Sequence, residues 1–348
     1  MTTPSLHHSD YKVAWICALP LEMAAAKAML EEVHGPLPQR SNDKNTYCLG
    51  KLSGHNVIIA CLPSGVYGTT SAATVVSDMR STFPKVEFGL MVGIGGGVPN
   101  TSADIRLGDV VVSMPSESSG GVIQYNFGKA LPGGNFQRIG PLHSPPPQVL
   151  LTALSIVRSN DMLNGSKLGI TIAAALDRNE YARGNFVRPD KDRLFVAEYT
   201  LENSGSDCSD CDERKLIPRT PRENFQEPGV HYGVIASGDQ VIKDATKRDS
   251  LAQQSNILCF GMEAAGIMNQ LPKDWQQWAA LTAAAYATVL LAAIEGNVDS
   301  NQAKTSYNDR GSESQFNDHR GSHNNNTGTG HQFVGSNFSG TINFGSSS

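Results

Sequence analysis

Apolar residues in this chain come in two textures that alternate. Short continuous runs rich in Val, Ile, Leu and Phe predict strands at 12–17, 57–61, 88–94, 110–113, 234–237 and 257–262. Stretches of helical character lie between them: an Ala-rich helix over 20–33, one over about 70–80, and a long one over about 275–294. Pro20 suits a first helical turn, and His34-Gly35-Pro36 stops that helix. Strands that are apolar along their whole length must be covered on both faces. The pattern therefore predicts an α/β fold with a mixed, mostly parallel central sheet flanked by helices. Ligands of such sheets gather at the carboxyl ends of strands. Polar and glycine residues cluster at those ends: Pro63-Ser64-Gly65, Gly95-Gly96-Gly97, Ser237-Gly238-Asp239 and Met262-Glu263.

The alternation breaks down over 179–230, a charged insert with Pro218, Pro221 and Pro228 near its end. After Gly296, Asn, Ser, Gly, Asp and His dominate, with almost nothing apolar to bury. The expected organisation is a disordered stretch 1–10, one α/β domain over 11–295 and a disordered tail over 296–348. The 348 residues are 39% hydrophobic and 18% charged, enough for a substantial core. A net charge of -5 gives no electrostatic reason to expect nucleic acid or an anionic membrane as partner.

Residues 1–10 have no apolar run of the secretory kind, so a cytoplasmic protein is expected. The stretch 278–294 is Ala-rich and a little short for a membrane span, so it reads as a core helix. Six scattered cysteines read as reduced, buried thiols. Cys208 and Cys211 have ligand-like spacing but no second pair, so a solvated acidic loop is preferred and no metal is expected.

Four segments could carry chemistry. Glu22 sits just inside the first helix, where the helix dipole favours any carboxylate. Gly93, Ile94, Gly95, Gly96 and Gly97 follow a buried strand, and glycines there let backbone N–H groups approach an anion or a sugar. No Gly-Lys-Ser/Thr follows them and Pro99 intervenes, so neither a phosphate loop of the Walker type nor a dinucleotide fingerprint is present. Ser237-Gly238-Asp239 ends a strand. Glu263 ends another, where a carboxylate needs a ligand or a cap.

In this order the segments resemble the nucleoside phosphorylase/nucleosidase superfamily, particularly its fungal members fused to immune-type signalling proteins. The resemblance spans 11–294. It is carried chiefly by Ile105-Arg106-Leu107-Gly108-Asp109-Val110-Val111-Val112-Ser113, by His231-Tyr232-Gly233-Val234-Ile235-Ala236-Ser237-Gly238-Asp239, and by Gly261-Met262-Glu263-Ala264-Ala265. It implies cleavage of the N-glycosidic bond of a purine nucleoside or nucleotide, with no metal or organic cofactor. By resemblance, Glu22 activates the attacking water and Met262 with Glu263 holds the ribose hydroxyls. Gly93 to Gly97 line the sugar and nucleophile site, Ser237, Gly238 and Asp239 lie beside the base, and Gly65 is a further substrate-binding candidate. Val241 stands where many nucleosidases place a base-stacking aromatic. No arginine lies near Glu22 in sequence, which favours hydrolysis over phosphorolysis, although phosphate stays a candidate co-substrate. A homo-oligomer is implied as well, with Tyr125 to Gly128 as pocket rim, subunit contact or plain surface turn.

The chain departs from the family at 272/273. Asn269-Gln270-Leu271-Pro272 passes straight to Lys273-Asp274-Trp275, where family members have a further buried strand and the aspartate that protonates the leaving base. Asp274 reads instead as the N-cap of the last helix. The gap leaves three readings: a pseudoenzyme, a weakened enzyme, or a coding sequence that has lost a segment. The alternative to catalysis is a purine-binding or adaptor module acting through the tail. Within 323–345, Phe333, Val334, Phe338, Ile342 and Phe344 are spaced among Asn, Ser and Gly with no charge nearby, a pattern suited to cross-β stacking. It resembles fungal amyloid signalling motifs, and implies a receptor partner with a similar motif.

Overall fold

A computed structural model describes residues 6–294, apart from 67, 118, 133–135, 139–144, 200–210, 223, 225, 226, 240, 241, 243 and 262–272, together with 343–346. The chain opens with β1 (Val13–Cys17) and α1 (Pro20–Met29), then β2 (Glu32–Val33), β3 (Tyr47–Leu52), β4 (His55–Cys61) and α2 (Thr69–Thr82). β5 (Phe88–Met91), β6 (Gly95–Gly97), β7 (Val110–Ser113) and β8 (Val122–Gln124) follow, with a hairpin of β9 (Gly128–Ala130) and β10 (Phe136–Arg138). Next come α3 (Gln148–Asn164), α4 (Leu168–Arg178) and α5 (Glu180–Asn185). β11 (Val230–Ser237), α6 (Ala245–Ser255), β12 (Ile257–Gly261) and α7 (Lys273–Ala292) complete the body, and β13 (Asn343–Ser346) stands apart in the tail.

The fold is the mixed, mostly parallel α/β architecture that the apolar runs predict. β1 lies between β4 and β5 and is parallel to both, with β3 and β2 added antiparallel outside β4. A second group centres on β11, which is parallel to β7, β8 and β12. The two groups meet where β5 runs into β6, so the Gly93 loop crosses between them.

The main core joins β1, β4 and β5 to α1, α3, α4 and α7. α7 is buried nearly all round. Ala280, Ala283, Ala284, Ala285 and Ala287 are each at most 2% exposed, and small side chains let α1 approach closely. This is the core helix expected from its sequence; no described helix is long and apolar enough to cross a membrane. Cys17, Cys48 and Cys61 are free thiols, and burial pushes the Cys61 thiol up to about 11.

Several boundaries differ from the sequence expectation. α1 stops at Met29 rather than 33, because Glu32 and Val33 pair with Lys51 and Gly50 as an edge strand. β11 starts at Val230, four residues early, drawn out by its pairing with β7. α7 starts at Lys273, which places Asp274 inside its first turn rather than at the N-cap. His8–Asp10, in a stretch expected to be disordered, form one 3-10 turn held by His8 Nε2 against the Pro38 carbonyl at 2.7 Å. In the insert, α5 caps on Asn179 and Phe195 bridges Leu216.

Candidate active site

Glu22 lies where β1 ends and α1 begins, and it is 4% exposed. Its Oε2 accepts from the N–H groups of Ala18 at 2.7 Å and Leu19 at 2.9 Å, closing the first turn of α1 as a cap. Its Oε1 accepts from Ile94 N–H at 2.9 Å, which ties it to the loop after β5. Burial pushes the carboxyl up to about 7, against the lowering effect of those three N–H groups. An ionised carboxylate has about four acceptor positions, so roughly one, on Oε1, remains for a ligand.

Gly93 makes this geometry possible. A Cβ there would stand 2.5 Å from Glu22 Oε1, inside any tolerable contact. Gly95 to Gly97 do not form an open turn. They pair antiparallel with Gly261 to Cys259 of β12.

Beside this loop is a cavity of about 250 Å³. That is a little below the ~300–1,000 Å³ common for small-molecule sites. Gly93 to Gly97 form one wall, Ile105 to Asp109 another, and Ala245 with Arg248 of α6, Phe260 and Trp275 close it. Among the described residues, four arginines line it, Arg106, Arg193, Arg219 and Arg248, against two aspartates, Asp109 and Asp192. Carboxylates just outside the lining, Asp104, Glu213 and Asp249, pair with Arg106, Arg193 and Arg248, so the cavity presents guanidinium groups whose charge is largely matched locally. Glu22 stands behind the Gly93–Ile94 wall and does not line the cavity.

The arginines are held in place. Arg106 pairs with Asp104 at 2.5 Å and donates to the Thr220 carbonyl, and Arg219 pairs with Asp192 and Asp104. Arg248 pairs with its neighbour Asp249 at 2.6 Å. Asp109 anchors the assembly. It takes both Nη atoms of Arg222 at 2.7 and 2.6 Å, the Gly229 and Arg106 N–H groups, and His231 Nε2 at 2.9 Å. Burial works to raise the Asp109 carboxyl, but Arg222, His231 and the Arg106 N–H outweigh it and hold it below the usual range. Gly108 beside it has φ +83°, and a Cβ there would strike the Trp278 ring at 2.5 Å.

The remaining candidates are dispersed. Ser237 is buried at the end of β11, and Gly238 packs so closely on Tyr125 that a Cβ would fall 2.5 Å from that ring. Tyr125 points inward onto Phe260, rings 5.5 Å apart, instead of forming a rim. Asp239 Oδ1 accepts from Thr69 N–H at 3.0 Å and Thr69 Oγ1 at 3.1 Å, capping α2, whose own N-cap Gly68 has no side chain. Gly65 is an exposed turn residue with φ +81°. Val241, Met262, Glu263 and the junction at 272/273 lie outside the described residues, as does Cys208.

Sequence reasoning missed the arginines. The insert delivers Arg193 and Arg219 to the cavity and α6 delivers Arg248, on the far side of the Gly93–Ile94 wall from Glu22. The available signal was the clustering of Arg193, Arg219 and Arg222 in a stretch too charged to be core.

Fold and site together define a mixed α/β domain whose strand ends hold a buried glutamate beside an arginine-lined cavity. Comparison with known proteins adds relatives of three kinds. Residues 304–345 match the family described as "Sigma domain on NACHT-NTPases". A "Nucleotide-binding leucine-rich repeat (NLR)-like protein" of Hyaloscypha variabilis is 42% identical over 308 residues, 84% of this chain; the chain spans 30% of that relative's length. Among solved structures, a Helicobacter pylori 5'-methylthioadenosine/S-adenosyl homocysteine nucleosidase is 12% identical with a TM-score of 0.49, covering 81% of this chain and 98% of that one. The futalosine hydrolase of Helicobacter pylori strain 26695 is 12% identical with a TM-score of 0.48, covering 82% and 98%.

Proposed function

We propose that this chain cleaves the N-glycosidic bond of a purine nucleotide or nucleoside, as an effector recruited through its C-terminal tail. The observation that carries the reading is Glu22: buried at a strand end, held by Ile94 N–H, with a carboxyl near 7. A base poised near neutral pH suits activation of water, and Oε1 has an acceptor position left for that proton. The four cavity arginines favour a phosphorylated substrate or a phosphate co-substrate over an uncharged nucleoside. The sequence match to an NLR-like protein and the sigma-domain match in the tail support the effector part.

Cleavage also needs a proton for the departing base. Among the described cavity residues, Asp109 is held ionised and Asp192 is paired with Arg219, so neither is suited to give it. Loss of a general acid slows such reactions about 10²–10⁴-fold, and slow turnover is expected. The test is free-base release, read by liquid chromatography, from adenosine, inosine, methylthioadenosine and ATP with and without phosphate. Release that Glu22→Gln abolishes supports the reading; no release from any of them sinks it. A second reading, a purine-binding adaptor without turnover, is favoured by Glu22 lying behind the cavity wall. Saturable ATP or adenosine binding with no base released would select it.

A further inference from the structure

Among the described strands, β5 would be an edge of its sheet if the tail were absent. It pairs with β1 on one side through Val13↔Phe88, Ala14↔Gly89, Trp15↔Leu90 and Ile16↔Met91. On its other side it pairs with β13, through Asn343↔Met91, Phe344↔Leu90, Gly345↔Gly89 and Ser346↔Phe88. Phe88-Gly89-Leu90-Met91 has no charge and no proline, and Phe88, Leu90 and Met91 are at most 5% exposed. Proteins blunt free edges with charges, prolines or a covering element, and β5 has only the last. The strand that covers it overlaps the sigma-domain match, 304–345.

We propose that the β5 edge is a docking site for the terminal strand of this chain's own tail, and that this pairing competes with pairing between tails. A strand's ladder groups can serve one neighbour on each side, so a tail strand spent on β5 offers fewer of them to another copy. The stretch 295–342 reaches the sheet easily at about 3.3 Å per residue. β13 is antiparallel to β5, so its Asn343 end lies beside Met91, two residues before Gly93. β13 thus begins beside the end of β5 from which the Gly93 loop departs. The competition rests on the self-associating reading of the tail; the docking itself does not.

The test uses the full chain carrying Gly89→Cys and Gly345→Cys, oxidised while dilute and mapped by mass spectrometry. Directly opposed residues of an antiparallel pair are about 4.5–5.5 Å apart at Cα, within disulfide reach. A Cβ at Gly89 meets Ala14 Cβ at 3.6 Å and the Ala14 carbonyl oxygen at 3.8 Å, both ordinary contacts, so the variant should fold. The expected product is a disulfide within one chain, at least tenfold above that of Gly89→Cys with Phe344→Cys, whose side chains face opposite ways. Equal yields from the two pairs, or links mainly between labelled and unlabelled copies, overturn docking in cis. Sedimentation then reads the competition: assembly should fall at least tenfold in the oxidised variant and return on reduction. Equal assembly in both states overturns the competition. Assembly in neither state, with the disulfide formed, ends the self-associating reading and leaves docking upheld.

Discussion

Glu22 combines a capping role with a candidate chemical one, and pH separates them. Its carboxyl titrates near 7 in the folded chain against an ordinary 4.5, because burial disfavours its charge. A raised folded value means the folded state binds the proton more tightly than the unfolded chain. The contribution is full below about 4.5 and is lost as pH rises through about 7. Between those limits it amounts to about 3 kcal/mol. Denaturant unfolding of the wild-type chain should therefore show stability falling from pH 4.5 to 7, and Glu22→Gln should flatten that slope. Base release should run the other way, rising as Glu22 ionises with a midpoint near 7. Arg248 is the cavity arginine whose ion pair is with its own neighbour, so Arg248→Ala removes charge with little structural consequence. It should raise KM for ATP about tenfold and leave KM for adenosine unchanged, as steady-state kinetics would read.

Helices and strands here are tied together by carboxylates distant in sequence. Asp239 follows β11 and caps α2, 170 residues earlier. Asp239→Ala should cost about 1 kcal/mol, the usual loss of an N-cap, seen as a Tm lower by about 2–4 °C. Asp239→Asn should keep most of that stability, and a loss of purine affinity in it would assign the charge to the base. Asp109 ties β7 to the insert and to β11 through Arg222 and His231. Asp109→Ala leaves a partly buried arginine unpaired, and a loss of about 3 kcal/mol is expected in equilibrium unfolding. The apolar strands were legible because a buried parallel strand must be apolar throughout; 110–113 agrees residue for residue with β7. α3 to α6 were not, because α3 and α4 keep apolar residues on both faces, with Met162, Leu163 and Ile170 at least 75% exposed.

For the molecule as a unit, the match to an NLR-like protein covers 84% of this chain and 30% of that relative. The pairing of β13 with β5 puts the last residues of the tail at the sheet edge that leads into the Gly93 loop.

Hydrophobic texture, read along the chain, was enough for the fold class, the main strands, the core character of α7, and Glu22 with the Gly93 loop as candidates. These follow from local constraints: which residues can be buried on both faces of a sheet, and where backbone must pass close to a ligand. Tertiary structure alone decided that Glu22 sits behind the cavity and that Asp239 caps α2. It alone brought Arg193 and Arg219 from an irregular insert onto a glycine loop far earlier in the chain, and β13 of the tail onto β5. Such contacts depend on which surfaces meet after the sheet has formed. A charge in a loop has no periodicity that marks its partner, so no pattern along the chain could show it.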